Sequence, residues 1–460
     1  MRTLFIVLFA LLFARQGWIM LVDGPRLAAD PHNPRAHSGI ANRGSILATD
    51  GTRLAYSVGE RRVYPLGATT AQTVGYISPR FGTSGLEAAY DQVLAAPSAA
   101  RDPMSEFVSL VNAIKGKSGT LRGSDIVTTL DPALTKVLGA ALAQHRRAAG
   151  VVLDPRSGAV LAMASVPSYD PNAFEKEWKA LRTASQSPLL NRATEGLYPP
   201  GSTFKIFTAS TALDAEVLTP QSTFNDPGYF TIGNATIHDD EGEVTGTQDL
   251  AGAFALSSNV DFAQIALKIG VVRFYDYLQR WRFGESMNFQ LPIAYDRFAK
   301  QEAVYAGILA QMGFGQADLL VTPLRMALVA ATIANGGIEP RPYIVRAIRR
   351  PTGTINSGGA NQLAAPISAD TAAEVKNLMI QVVKRGTGTA AAIPGITVAG
   401  KTGTATNPAG RSDAWFVAFA PAEDPKVAVA IVVENAGYGG TVSAPIARTV
   451  IRAALEAQKP

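Results

Sequence analysis

The chain has 460 residues, 47% of them hydrophobic and 17% charged, with a formal net charge of +5 and no cysteine. This composition allows two or three folded domains with sizeable cores and excludes a disordered chain. It also excludes disulfides, thiolate catalysis and cysteine-based zinc sites, and the scattered positive charge is too weak to argue for nucleic acid. The four histidines (His32, His37, His145, His238) are dispersed and form no H-E-x-x-H or other metal spacing.

At the N-terminus, "LFIVLFALLFA" (Leu4 to Ala14) is an unbroken apolar run. Arg15, Gln16 and Gly17 interrupt it, and "WIMLV" (Trp18 to Val22) resumes it. A spanning helix needs about 20 apolar residues, so residues 1–23 are expected to form a short cytoplasmic end and a transmembrane anchor. Arg15 inside the span is a cost that snorkelling relieves. A cleaved signal peptide is the competing reading, but no A-x-A-like site follows soon after. Both readings export the rest of the chain. A polar, Pro-rich stretch then opens a unit expected over residues 24–124. In it, "RGSILATDGTRLAYS" (Arg43 to Ser57) reads as strand, turn and strand about Asp50-Gly51. This unit reads as a small α+β module without a catalytic constellation.

A second unit is expected over residues 125–460. A helix starts around Pro132, and "GVVLDPRSGAVLAMASV" (Gly150 to Val166) reads as a hairpin about its Asp-Pro turn. From about Leu190 to Gly336 the text reads as helices and loops. Strands return at Ile396 to Gly400, Ala414 to Ala420 and Val427 to Asn435, and a helix closes the chain from about Ala444 to Ala457. Strands at both ends of the unit thus flank a helical insert. The expected fold class is α+β: a sheet assembled from distant segments, flanked by helices, with a helical subdomain beside it and a cleft between them.

Three short motifs carry chemistry. "LYPPGSTFK" places Ser202 and Lys205 at positions i and i+3, directly after residues that cannot be helical. Pro199, Pro200 and Gly201 put Ser202 at the very start of a helix, where its N–H and the helix dipole favour a developing oxyanion. Lys205 can accept a proton only when neutral, so it must be desolvated or placed near another cation. "ALSSNVDF" then supplies Ser257, Ser258 and Asn259 at a polar turn opening a helix. "VAGKTGTAT" supplies Lys401, Thr402, Gly403 and Thr404 on a strand, with Lys401 available as the second cation. Separations of 55 residues from Ser202 to Ser257 and 142 from Asn259 to Lys401 keep the motifs in the order Ser-x-x-Lys, Ser-x-Asn, Lys-Thr-Gly. Any one alone is weak; the ordered set is specific for acyl-transferring penicillin-reactive enzymes.

With these residues in place, the chain resembles the class B penicillin-binding proteins, membrane-anchored D,D-transpeptidases. "NRATEGLYPPGSTFK", "GFGQADLLVTPLRMALVAATIANGG", "DAWFVAFAP" and "NRGSILATDG" extend the resemblance over nearly the whole chain, and "LAADPHNPR" is similar to openings of actinobacterial members. The resemblance implies roles for the motif residues. Ser202 attacks the carbonyl between two D-alanines of a peptidoglycan stem peptide, and Lys205 takes its proton. Ser257 passes a proton to the departing D-alanine, and Asn259 orients Lys205 and binds the substrate amide. Lys401 tunes the field, while Thr402 and Thr404 hydrogen-bond the terminal carboxylate and Gly403 admits the ligand backbone. The N–H groups of Ser202 and Thr404 form the oxyanion hole. A neighbouring stem's amine then resolves the acyl-enzyme, and β-lactams imitate the substrate. No metal or other cofactor is implied. Ser258 departs from the Ser-Asp-Asn form of the second motif.

The resemblance also implies a single-pass membrane protein with its catalytic unit, residues 125–460, outside, and residues 24–124 as a pedestal or dimerisation-like module. It would work with a separate polytopic glycan polymerase and other cell-wall synthesis proteins in cell division or cell shape. A class D-type β-lactamase shares Ser-x-x-Lys, but the preceding module, the anchor and the missing Tyr-Gly-Asn triplet speak against it. A β-lactam sensor would need a membrane-embedded signalling region. A bifunctional synthase would need a longer N-terminal region. Other patterns have plainer readings. The acidic "HDDEGE" (His238 to Glu243) reads as a solvated loop rather than a metal site. "GTGTAAAIPG" (Gly386 to Gly395) reads as a loop leading to the Lys401 strand, and Trp415 and Phe416 as core.

Overall fold

In the computed structural model, the described residues are 40–95 and 122–457, apart from 234, 351, 352, 357 and 408, together with 15 and 18. The segment "VAVAIVV" (Val427–Val433) is apolar at every position and buried at every position, the signature of a central strand covered on both faces. It lies in the middle of a five-stranded sheet in the order Ala399–Thr406, Ser412–Ala420, Val427–Val433, Ala148–Leu153, Val160–Val166, with every neighbouring pair antiparallel. Alternate side chains enter different cores. Val429, Ile431 and Val433 pack with Val450 and Ile451 of the closing helix Ser443–Ala457, and with the helix Pro132–Leu142. Ala428, Ala430 and Val432 face the larger core with Leu324, Leu328 and Phe204.

A second, six-stranded sheet runs Gly353–Asn356, Val345–Arg350, Asp125–Thr128, Ile46–Leu47, Arg53–Val58, Arg61–Val63. Ile46 and Leu47 pair in parallel with Ile126 and Val127, and Ile126 pairs antiparallel with Ile348. The sheet thus takes strands from both sides of residue 124. A buried ion network braces it: Glu87 accepts from Arg43 and Arg62, both at 2.7 Å, while Arg43 also reaches Asp91 at 2.7 Å.

The expected strands and helices appear, with local differences. The strand carrying Lys401 starts at Ala399 rather than Ile396, because Ile396 closes a turn by donating to the Ile393 carbonyl at 3.1 Å. Between Leu190 and Gly336 the helices are joined by two short ribbons, Thr223–Asp226 with Gly246–Asp249 and Tyr229–Ile232 with Ala235–His238. Strands of four residues carry too little periodicity to be read from sequence. The anchor expected within residues 1–23 lies, apart from Arg15 and Trp18, outside the described residues, and among the described residues no helix is long and apolar enough to cross a membrane.

Candidate active site

The site is built around a turn that its own sequence makes rigid. Tyr198 pairs with Val321 through two backbone hydrogen bonds, at 3.0 and 2.9 Å. Pro199 and Pro200 follow, and Trp415 Nε1 donates to the Pro199 carbonyl at 3.0 Å. Gly201 has φ +52° and donates its N–H to the Gly315 carbonyl at 2.9 Å. A side chain there would press on Ala405 and on the Thr404 carbonyl, so only glycine fits. Ser202 then lies in a 3-10 turn, Gly201–Phe204, that runs straight into the α-helix Lys205–Asp214. The sequence places Ser202 at the helix start; the structure puts it one tight turn earlier, with Lys205 opening the α-helix.

Lys205 is fully buried. Its Nζ donates to the Ser257 carbonyl, to Ser257 Oγ at 3.2 Å and to Asn259 Oδ1 at 2.8 Å. Lys401 is also fully buried, and its Nζ donates to Ser257 Oγ at 2.8 Å and to the Thr402 carbonyl at 3.2 Å. One hydroxyl therefore bridges two lysines. Burial, more than any charge, brings Lys205 down to about 7, although Asp240, Asp239, Asp261 and Asp226 pull the other way. Lys401 is pushed well below the usual lysine range by burial and then by the charge of Lys205. The neutral amine needed of Lys205 thus comes first from desolvation, not from the second cation.

Ser257 occupies the left-handed region, with φ 66° and ψ 36°, between the helices Leu250–Leu256 and Asn259–Ile269. That strained conformation turns both its carbonyl and its hydroxyl toward Lys205. Ser258 accepts the Asp261 N–H at 2.9 Å, capping the second helix. A cap can be Ser as well as Asp, which explains the departure at this position.

The Lys401 strand is an edge strand, paired on one side only, with Ser412–Ala420. Thr402 Oγ1 contacts Thr387 Oγ1 at 2.5 Å. A Cβ on Gly403 would come within 2.9 Å of the Pro200 carbonyl, so the strand can lie against the serine turn only with glycine there. Ser202, Ser257, Thr402 and Thr404 line a cavity of about 550 Å³, closed further by Thr387, Tyr438 and Gly440. Lys205, Asn259 and Lys401 form the layer behind Ser257. All eight residues singled out in the sequence are therefore in one place. The arrangement provides a partly exposed hydroxyl, buried amines of lowered basicity and an unpaired strand edge. It suits nucleophilic attack on a carbonyl held as an added strand.

Sequence reasoning missed three contributors. Trp415 is core, as expected, but it also holds the serine turn. Thr387, in the glycine-rich loop, supports Thr402. The acidic loop is not simply solvated: Asp239, Asp240 and Glu243 line the cavity, and Asp239 is buried beneath Asn259. Among the described residues no group of His, Asp and Glu is arranged to hold a metal ion. Only the position of Asp239 at the head of an acidic run hinted at a role.

Comparison with known proteins agrees with this geometry. The model of the penicillin-binding protein transpeptidase domain matches residues 148–452, and that of the penicillin-binding protein A dimerisation domain matches residues 43–120. The chain is 36% identical to the peptidoglycan D,D-transpeptidase PbpA of Mycolicibacterium smegmatis, covering 98% of this chain and 96% of the relative. Penicillin-binding protein A from M. tuberculosis, solved as a ceftriaxone acyl-enzyme complex, superposes with a TM-score of 0.82 at 33% identity, over 90% of this chain and 98% of that one. The D,D-transpeptidase domain of a peptidoglycan glycosyltransferase from Eggerthella lenta superposes at 0.81 with 36% identity, over the same shares of the two chains. With the ordered motifs converging on one cavity and both family models matched, this chain belongs to the penicillin-binding protein transpeptidase family.

Proposed function

We infer that this chain is a serine-type peptidoglycan D,D-transpeptidase that works through an acyl-enzyme and is a target of β-lactams. The observation that carries this is the pair of fully buried lysines sharing Ser257 Oγ behind a cavity that exposes Ser202. Ser202 Oγ attacks the penultimate D-alanine carbonyl of the donor stem, and Lys205, in its neutral form, accepts the hydroxyl proton. The N–H groups of Ser202 and Thr404 receive the oxyanion. Ser257, which accepts from Lys401 and faces Lys205, relays a proton to the nitrogen of the terminal D-alanine as its peptide bond breaks. Asn259 keeps Lys205 aimed through Oδ1. Thr402, supported by Thr387, hydrogen-bonds the terminal carboxylate, Lys401 acts from behind through Ser257 Oγ, and Gly403 lets the donor backbone lie along the strand edge. An acceptor amine then attacks the ester, releases Ser202 and forms the cross-link.

Intact-protein mass after benzylpenicillin, followed over hours, tests this. The expected result is a long-lived adduct in the wild type and none in Ser202→Ala. A brief adduct with continuing penicillin consumption would mark a β-lactamase instead. Release of D-alanine from a pentapeptide donor, with and without an added amine, separates cross-linking from simple hydrolysis.

The further setting follows from the sequence. Residues 1–23 anchor the chain in the cell membrane by one span, the catalytic unit lies on the outer side, and residues 24–124 serve as a pedestal. A polytopic glycan polymerase, engaged through the anchor and that module, supplies the strands to be cross-linked during division or elongation. Membrane fractionation and protease access in spheroplasts check the topology. A normal growth phenotype after replacing residues 1–124 with an unrelated anchor would sink the partnership.

A further inference from the structure

Behind the Ser-x-Asn motif lies a hydrogen-bonded chain that none of its three residues explains. Asp226, fully buried at the end of the strand Thr223–Asp226, accepts the Gly228 N–H at 2.8 Å and the Thr245 hydroxyl at 2.7 Å. The direction of the second bond is fixed. Gln248 Nε2 donates to Thr245 Oγ1 at 2.6 Å, so the threonine hydrogen is free only to point at Asp226. Asp226 is thus an acceptor at both oxygens, as an ionised carboxylate is. Asp239 faces it from the loop before the motif. Asp239 Oδ1 accepts the N–H groups of Asn259 and Val260, the latter at 3.2 Å, so it holds the first turn of the helix Asn259–Ile269. Its other oxygen, Oδ2, is buried and receives no donor among the described residues. The Asp226 carboxylate is its neighbour: the Asp239 N–H donates to the Gly228 carbonyl at 3.4 Å, and the Gly228 N–H donates to Asp226 at 2.8 Å. An anionic oxygen in that position would be buried without compensation and repelled by its neighbour; a hydroxyl would donate to Asp226 and satisfy both.

We propose that Asp239 and Asp226 share one proton, carried on Asp239, and that this carboxyl pair is the clamp that positions Asn259 against Lys205 during acylation. The assignment rests on the transpeptidase reading above and names positioning residues for it. Burial and the hydrogen bond to Asp226 push Asp239 up to about 7. Asp226 is held below the usual range: burial opposes this, but the hydrogen bonds from Asp239, Thr245 and Gly228 outweigh it.

The other charged or titratable groups around the pair are few. Lys205 lies beyond Asn259, and Lys401 beyond Ser257. Asp261 takes Gln248 Nε2 at 2.7 Å, and Asp240 and Glu243 stand at the cavity wall. His238 contributes its carbonyl to Asn259 Nδ2 at 3.2 Å. Loss of the shared proton sets two anions face to face and adds a negative charge beside Lys205. The clamp opens and Lys205 holds its own proton more firmly; both slow acylation. The pair therefore gives acylation a falling alkaline limb, on top of the rising limb set by Lys205.

The test is the second-order rate constant for acylation of the full chain by benzylpenicillin, measured from about pH 5 to about pH 9, with the melting temperature of each variant. Asp239→Ala removes the clamp and should slow acylation by on the order of a hundredfold, the cost of displacing a catalytic group by about 1 Å. Asp239→Asn keeps an acceptor for the helix and a permanent donor for Asp226. It should restore the rate near neutral pH and abolish the alkaline fall. Asp226→Asn should act in the opposite sense: it leaves the negative charge on Asp239, nearer Lys205, and moves the rising limb to higher pH. An alkaline limb that persists in Asp239→Asn, an Asn variant as slow as Ala, or shifts of the same sign in Asp226→Asn and Asp239→Asn would overturn the assignment. Absence of any adduct in the wild type would instead overturn the transpeptidase reading itself.

Discussion

Lys205 and Lys401 are unusual side chains: both are wholly buried, and every hydrogen bond they make among the described residues goes to a neutral oxygen. A buried ammonium without a carboxylate hydrogen-bonded to it is costly, so the environment favours the free amine. For Lys205 that amine is the reactive form. Its group sits at about 7, lowered by burial, so the protonated, inactive fraction grows as pH falls below that value. Acylation by benzylpenicillin should accordingly climb as pH rises toward 7. Lys205→Arg, whose guanidinium never deprotonates, should lose about 10²–10⁴-fold at every pH. Stopped-flow or competition kinetics with a fluorescent penicillin would check this. A variant that retained its rate would show that Lys205 is not the base. The sign for stability follows from the same lowering. The unfolded chain binds the Lys205 proton up to about 10.4, so this residue's contribution to folding grows between about pH 7 and that value.

At the scale of elements, the serine turn is wedged between the Lys401 strand and the segment around Gly315. Gly315 has φ +80°, and a Cβ there would lie 2.1 Å from the Gly201 carbonyl. Gly315→Ala should therefore displace the turn bearing Ser202, lower the melting temperature and slow acylation by about a hundredfold. A calorimetric scan beside an adduct-formation assay would read both effects. This contact also marks where the sequence stops being informative. Ser202 and Lys205 are legible because three residues along a helix bring two side chains to one face. Ser257, Asn259, Lys401 and Thr404 are legible because their residue types recur in a fixed order. Gly315, Thr387, Trp415 and Asp239 act through neighbours between 15 and 216 positions away, and no local pattern announces such a meeting. Asp239 shows the limit well. Its surroundings in the text are acidic and polar, yet a four-residue ribbon folds it under the helix it caps. The hairpin Ala148–Val166 and the apolar strand Val427–Val433 could be read directly, whereas the pairing of Ile46 with Ile126 could not, because a short strand does not name its partner.

For the molecule as a whole, the six-stranded sheet and the catalytic sheet are separately braced. Glu87 has both oxygens engaged by Arg43 and Arg62, and all three side chains are buried. Removing one member of such a network strands the others. Glu87→Ala should cost about 3–5 kcal/mol of stability, while the acylation rate of the folded fraction stays at its wild-type value. Thermal unfolding and benzylpenicillin kinetics on the same preparation would separate the two quantities. A large fall in the acylation rate of folded protein would mean that the unit containing Glu87 is coupled to the catalytic cavity.

The threading of the six-stranded sheet has a consequence for biogenesis. Ile46 can pair early with Ala55 but cannot acquire its other neighbour until Ile126 has been made, and Ile126 cannot be covered on its other side until Ile348 has. Contacts so far apart along the chain are slow to form. A chain emerging from its N-terminus would present an open strand edge through most of its synthesis, and the first unit to appear would be among the last to mature. Such an edge invites mispairing. The need to shelter it during synthesis therefore comes from topology alone, independently of the chemistry the finished protein performs.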